Sequence, residues 1–174
     1  VIFVAFGAEE RGIVGSKHFA ENLQEVELSG GKTISAKDVV AMVNFDMIGN
    51  LRGGAITLGG TGTAKEMDDI IAGAGKLYGN ALKVTRSPQG HGPSDHSAFY
   101  AKNIPVFYLT TGGTEDYHTP DDDSYKLNWA GLDSVASYAA LLVEQVQKYP
   151  QGLTFTDTGS PEASPMRAGF KVSL

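Results

Sequence analysis

The chain has 174 residues, 41% of them hydrophobic, with 22 glycines, no cysteine and a formal net charge of −6; this is enough for one domain with a real core. The acidic balance argues against a nucleic-acid partner, which needs a basic surface, and no run of about 18 apolar residues is present to span a membrane. Without cysteine there is no disulfide framework and no thiolate metal site, so any metal must be held by His, Asp and Glu.

Residues 1–6, VIFVAF, read as a buried strand, because a continuous β-branched and aromatic run suits a sheet centre covered on both faces. The sequence opens inside this pattern with no initiator Met, which predicts that it is the later part of a longer protein. A turn at 11–15 leads to a short helix, 16–23, with Phe19, Ala20 and Leu23 on one face, and then to a polar surface excursion at 25–37. Residues 39–45, VVAMVNF, form a second buried strand and 55–58 a third. Residues 63–78 are a helix: Thr63 and Glu66 match the capping box, and Met67, Ile70, Ile71, Ala74 and Leu77 recur at helical spacing. A fourth strand at 81–85 precedes a Gly/Pro/His loop, 87–93, and Ser94 caps a short helix through Tyr100. Residues 104–109 are a further buried strand, ending in the loop 110–124. The longest helix is 128–148, with Trp129, Leu132, Ala136, Ala139, Val143 and Val146 as its buried stripe.

This alternation predicts an α/β fold, a three-layer α/β/α sandwich on a mostly parallel mixed sheet. Ligands in such sheets sit beyond the carboxyl ends of strands, where Glu9, Glu10, Asp46 and the acidic loop 116–123 all fall. Residues 1–149 read as one domain. Residues 150–174, rich in Gly, Pro, Ser and Thr, read as a linker or wrap-around tail, with Phe170 to Leu174 as a candidate added strand.

The chemistry is concentrated in a few places. Glu9 and Glu10 follow an apolar strand directly, and burying unpaired charge is costly. A metal would neutralise the pair, one carboxylate binding it and the other serving as base; a solvated loop with two acids is the plain alternative. Asp46 ends a strand in a Gly-bounded turn and reads as either ligand or turn former. His118 lies among acids in YHTPDD, a setting suited to zinc, or else is a surface histidine. Tyr117 can donate to an oxyanion or simply pack. Asp95 can orient a metal-binding group or stabilise a helix N-terminus. His91, in the 87–93 loop, reads equally as a substrate contact and as an exposed residue. A Ser94–Asp95–His96 triad is disfavoured, since adjacent members face each other poorly and no Gly-x-Ser-x-Gly elbow is present.

FVAFGAEERGIVGS, VVAMVNFDMIG, GPSDHSAFY, IPVFYL and DYHTPDD, in that order, resemble the co-catalytic two-zinc aminopeptidases, the secreted bacterial and fungal enzymes related to glutamate carboxypeptidase and the glutaminyl cyclases. The resemblance covers residues 1–149 and implies the later portion of a zinc-exopeptidase domain without its N-terminal elements. It implies that Glu9 is the general base, that Glu10 and His118 hold one zinc, that Asp46 holds the other, that Tyr117 stabilises the tetrahedral intermediate and that Asp95 hydrogen-bonds near Asp46 and Glu9. The expected activity is removal of N-terminal residues from peptides and proteins, in an extracytoplasmic setting.

One departure is marked. The family's first metal histidine and its bridging aspartate lie before the strand with which this sequence opens. Three of five ligands remain, so the resemblance implies two zinc ions in the intact site but zero or one here, with weak or no activity. Edges left bare would favour self-association. Two competing readings are a glutaminyl cyclase-like acyltransferase and a non-catalytic peptidase-like interaction domain. The 87–93 and 110–116 loops are expected to build the side-chain pocket. The ending RAGFKVSL resembles, over a short stretch, the join to a following PDZ domain in some bacterial relatives.

Overall fold

In the computed structural model, residues 1–159 are described. Four strands, β1 (Met42–Phe45), β2 (Ala55–Gly59), β3 (Lys83–Arg86) and β4 (Val106–Thr110), form one sheet in the order β1-β4-β2-β3. β1 runs parallel to β4 and β2 parallel to β3, while β2 and β4 are antiparallel. The sheet is thus mixed and mostly parallel, as the alternation of elements predicts.

Side chains alternate across β4 and divide the interior in two. Phe107 and Leu109 face helices α2 (Met67–Leu77) and α4 (Trp129–Val146) in a core with Ile56, Leu58, Ile70, Val135 and Leu142. Val106 faces the other way, toward α1 (Val14–Glu21) and α3 (His96–Tyr100), packing with Ala20, Leu23, Phe99 and Ile104. Helices therefore cover both faces. The carboxyl ends of the parallel neighbours β1 and β4 open side by side, and Asp46 N–H donates to Leu109 O at 3.2 Å just past β1.

Several expectations are corrected. Residues 1–6 form no strand, and Val1 and Phe3 are 84% and 92% exposed. An apolar run becomes a sheet centre only when strands flank it, and among the described residues none pairs with this one. The strand expected at 39–45 is confined to Met42–Phe45.

The helix expected from Thr63 starts at Met67, because Thr63 and Glu66 are engaged elsewhere. The Thr63 hydroxyl donates to Gly60 O at 2.7 Å and accepts from Val106 N–H, while Glu66 accepts from Thr154. No capping box forms there, and Leu77 at the helix end is exposed. In α4 the buried stripe is Gly131, Val135, Tyr138, Ala139, Leu142 and Gln145. Of the expected stripe only Ala139 is buried; Trp129 is 63% exposed and Ala136 is exposed. The N-cap of α4 explains the register: Asn128 accepts from Gly131 N–H at 2.9 Å and donates to Leu51 O at 2.8 Å, turning Trp129 outward. Ser94 does not cap α3, whose N-cap residue is Asp95 without a side-chain cap bond. The strand expected at Phe170 to Leu174 lies outside the described residues.

Candidate active site

The glutamate doublet sits on a tight turn rather than an open loop. Glu9–Arg11 is a single 3₁₀ turn, entered through Ala8 at φ 56°. It is closed by Ile13 N–H to Glu9 O at 2.7 Å, Val14 N–H to Ala8 O at 3.2 Å and Gly15 N–H to Gly7 O at 3.0 Å. Gly15 must lack a side chain, since a Cβ there would stand 2.5 Å from Gly7 O. The small residues of GAEERGIVG thus fold the chain back on itself and hold both carboxylates at one lip.

Asp46 is placed by the joined ends of β1 and β4. Thr111 N–H donates to Met47 O at 3.0 Å, the Thr111 hydroxyl donates to the same oxygen at 2.5 Å, and Asn50 N–H donates to that hydroxyl at 3.2 Å. The loop bearing Tyr117 and His118 is braced internally. Thr119 N–H donates to Asp116 O at 2.9 Å, the Thr119 hydroxyl donates to it at 2.7 Å, and Lys126 pairs with Asp116 at 2.9 Å.

His118 Nε2 lies 2.7 Å from Glu10 Oε1, joining residues 108 positions apart. The Tyr117 and His118 rings stack at 3.8 Å. Partial burial raises the Glu9 carboxyl above the usual carboxylate range, the neighbouring Glu10, Asp46 and Asp95 raise it further, and His118 opposes them. Burial, then Glu10, Asp46 and Glu9, likewise raise the Tyr117 phenol. Asp95 Oδ1 is buried with no hydrogen-bond partner. The structure therefore gathers Glu9, Glu10, Asp46, Asp95, Tyr117 and His118 from four separate segments. His91 stands apart, its ring edge-on against Tyr100 at 4.5 Å.

Beneath the carboxylates lies a buried polar layer. Asn44 donates to the Ser94 hydroxyl at 2.7 Å and approaches His96 Nδ1 at 3.5 Å, and His96 stacks on Tyr108 at 4.4 Å. This layer links β1, two residues before Asp46, to the segment carrying Asp95. Asn44, a lone amide in the apolar run VVAMVNF, was its one signal in the sequence; Tyr108 gave none. Ser94 is 1% exposed and serves as Asn44's acceptor, which suits a structural role.

Beside Tyr117 opens a cleft of about 400 Å³, lined by Met47, Asn50, Arg52, Gly112, Asp116 and Lys126 among others. The 110–116 loop contributes to it, and no residue of 87–93 does.

The donor types suit a borderline cation such as zinc, which takes imidazole nitrogen and carboxylate oxygen. A carboxylate and an imidazole already meet at one point, and Asp95, whose buried Oδ1 has no hydrogen-bond partner, lies within electrostatic reach of Glu9. No group of three or more His, Asp or Glu side chains placed to hold a metal ion together occurs among the described residues. The residues fit a cation in chemistry, with the Glu10–His118 pair as the part already assembled.

Comparison with known proteins agrees with this reading. The chain is 31% identical over 163 residues to aminopeptidase YwaD of Bacillus subtilis, covering 84% of this chain and 33% of that protein. It is 29% identical over 178 aligned positions to leupeptin-inactivating enzyme 1 of Streptomyces exfoliatus, covering 88% and 37%. Among solved structures, the aminopeptidase from Aneurinibacillus sp. strain AM-1 superposes with a TM-score of 0.61 at 28% identity, over 87% of this chain and 33% of that one. The chain thus spans about a third of the length of the curated relatives it matches. The model of peptidase family M28 matches residues 1–143, and the chain belongs to that family.

Proposed function

We propose that this chain is the part of a zinc-dependent aminopeptidase that carries the general base and one side of the metal centre, acting on the N-terminal peptide bond of peptides and proteins outside the cytoplasm. The observation that supports it most is the convergence of Glu9, Glu10, Asp46, Asp95, Tyr117 and His118 on one lip of the sheet, with Glu10 and His118 in contact at 2.7 Å. Glu9 lies within electrostatic reach of Glu10, Asp46 and Asp95, and carboxylates so close repel one another unless a cation joins them.

Glu10 and His118 would hold one zinc ion and Asp46 a second. Zinc, when bound, lowers the pKa of a water molecule toward neutrality and polarises the scissile carbonyl. Glu9 takes the proton from the attacking water and later delivers it to the leaving amine. Its raised pKa suits both acceptance and return. Tyr117, half exposed beside Glu9, donates from its phenol to the oxygen on which charge develops. Asp95 acts on Glu9 through its charge, raising the Glu9 pKa. A two-metal site needs more donors than Glu10, Asp46 and His118; the others would come from outside this sequence, leaving zero or one zinc bound to this chain alone.

The test is zinc content per chain together with hydrolysis of an aminoacyl anilide, for this chain and for an N-terminally extended one. Glu9→Gln in the extended chain should retain zinc and lose several orders of magnitude in turnover. Undiminished turnover in that variant removes Glu9 from its role, and metal-independent turnover removes the reading.

A further inference from the structure

The segment after α4 is held by more directed contacts than a connector requires. Lys65 N–H donates to Thr154 O at 3.1 Å and Thr156 N–H to Thr63 O at 2.8 Å. The Thr154 amide and hydroxyl both donate to the Glu66 carboxylate, at 2.9 and 2.7 Å. Phe155 then lies on the Tyr100 ring at 5.4 Å. Tyr100 OH donates to Asp157 Oδ1 at 2.7 Å and accepts Thr158 N–H at 2.7 Å. Finally, Gly90 N–H donates to the Thr158 hydroxyl at 3.0 Å.

This series of bonds ends in the middle of the 87–92 loop. The loop's flanks are fixed independently: Gly60, Thr61 and Gly62 donate to Gln89, Ser87 and Pro88, and Gly92 is clamped by the Ser97 hydroxyl. Gly90 and His91 rest on Tyr100 and Thr158. A Cβ at Gly90 would collide with the Tyr100 ring, so the glycine permits this close seating. The loop continues into Asp95, and Gly92 packs against His96 of the buried layer, so its shape bears on the site's edge.

We propose that residues 153–159 are a strap that fixes Gly90 and His91, the middle of the loop leading to Asp95, with Asp157 and Tyr100 as its positioning residues. The Asp157 carboxylate aims the phenol proton at itself, which leaves the phenol oxygen free to accept from Thr158 and so presents the Thr158 hydroxyl to Gly90. Charge-assisted bonds of this kind are roughly twice as strong as neutral ones. The tyrosine bond, then Gly159 N–H and His91, hold Asp157 below the usual carboxylate range, in keeping with a carboxylate that works ionised. Among the described residues the side chains of Ser87, Gln89 and His91 make no hydrogen bond that would fix the middle of the loop. The strap supplies that constraint from outside. Its contacts are independent of the proposed peptidase chemistry; only their meaning for substrate access rests on it.

The test compares the 174-residue chain with Asp157→Ala, Asp157→Asn and Tyr100→Phe. Amide exchange at Gly90 reports the last bond of the series. The His91 ring-proton shifts sense the current of the Tyr100 ring. Asp157→Ala and Tyr100→Phe should speed Gly90 exchange about fivefold to tenfold, the loss of roughly one net hydrogen bond, and move the His91 shifts toward those of free histidine. Asp157→Asn, which keeps an acceptor oxygen, should restore much of both. Unchanged Gly90 exchange and His91 shifts in Asp157→Ala would overturn the proposal whatever its melting temperature. Faster exchange spread evenly over the whole domain would also overturn it, since that marks general destabilisation. None of these signals involves metal or turnover, so the peptidase reading can fail without altering them.

Discussion

His96 makes the buried polar layer measurable. Its side chain is 1% exposed, stacked on Tyr108 of β4, faced by the Asn44 amide from β1, and covered by the Gly92 backbone. Burial, with a smaller contribution from His91, lowers its pKa from 6.5 to about 4. The unfolded chain therefore binds a proton between those values that the folded domain refuses. Folding stability from this residue is fully present above 6.5 and is lost as the pH falls toward about 4. At about 1.4 kcal/mol per pKa unit the total is roughly 3 kcal/mol, of which about 2 kcal/mol falls between pH 7 and pH 5. That is a large part of the 5–15 kcal/mol typical of a whole domain.

Urea unfolding of the wild type and of His96→Gln, at intervals from pH 7 to pH 5, isolates the effect. The wild type should lose about 2 kcal/mol more than the variant over that range. In the folded wild type the His96 ring-carbon proton should show no titration step near pH 6.5. Equal pH dependence in the two proteins, or a His96 midpoint close to 6.5, would refute the burial argument.

Leu142→Ala, emptying a fully buried position in the larger core, should cost about 3 kcal/mol by denaturant unfolding, whereas Trp129→Ala at the exposed helix start should stay within about 0.5 kcal/mol; the reverse order would restore the helix register expected from sequence. Thr63→Val removes a fully buried hydroxyl that donates to Gly60 O and accepts from Val106 N–H, and should cost about 2 kcal/mol in the same assay. His118→Ala in the N-terminally extended chain should weaken zinc binding by dialysis, yet in this chain it should shift metal-free stability by less than about 0.5 kcal/mol, because its pair with Glu10 is exposed on both sides.

The architecture was legible where local pattern and burial agree. β2, β4 and the body of α2 follow the apolar pattern of the sequence, although α2 starts four residues later than expected. Failures occurred where a distant partner decides. The run VIFVAF has every mark of a buried strand, but β structure exists only by pairing, and no sequence pattern inside the run reports whether a neighbour is present. Thr63 and Glu66 spell a helix start, but Val106 and Thr154 engage them first. In α4 several overlapping apolar stripes are available, and the Asn128–Leu51 bond, spanning 77 residues, selects among them. The family was legible for the opposite reason: its evidence is the order of five short motifs, which does not depend on how each segment packs.

The site residues were named from the sequence, but the device that aims them is conformational. Among the described residues six non-glycine residues have positive φ, and three of them are Ala8 just before Glu9, Met47 just after Asp46, and His118 itself. An alanine, a methionine or a histidine in the left-handed region costs about 1–2 kcal/mol, and nothing in those residue types announces it. Met47 stands where the chain leaves β1, Ala8 where it enters the 3₁₀ turn and His118 within the braced loop, and each is held by bonds from elsewhere: Val14 to Ala8, Thr111 to Met47, and Glu10 to His118. Relieving this strain with glycine should ease the backbone and loosen the aim. Met47→Gly would then leave stability nearly unchanged, since the gain in φ offsets the greater entropy of the unfolded chain, while weakening whatever Asp46 binds. Zinc affinity falling in Met47→Gly at constant unfolding free energy is the signature that strain here serves positioning; affinity and stability falling together would show that Met47 merely packs.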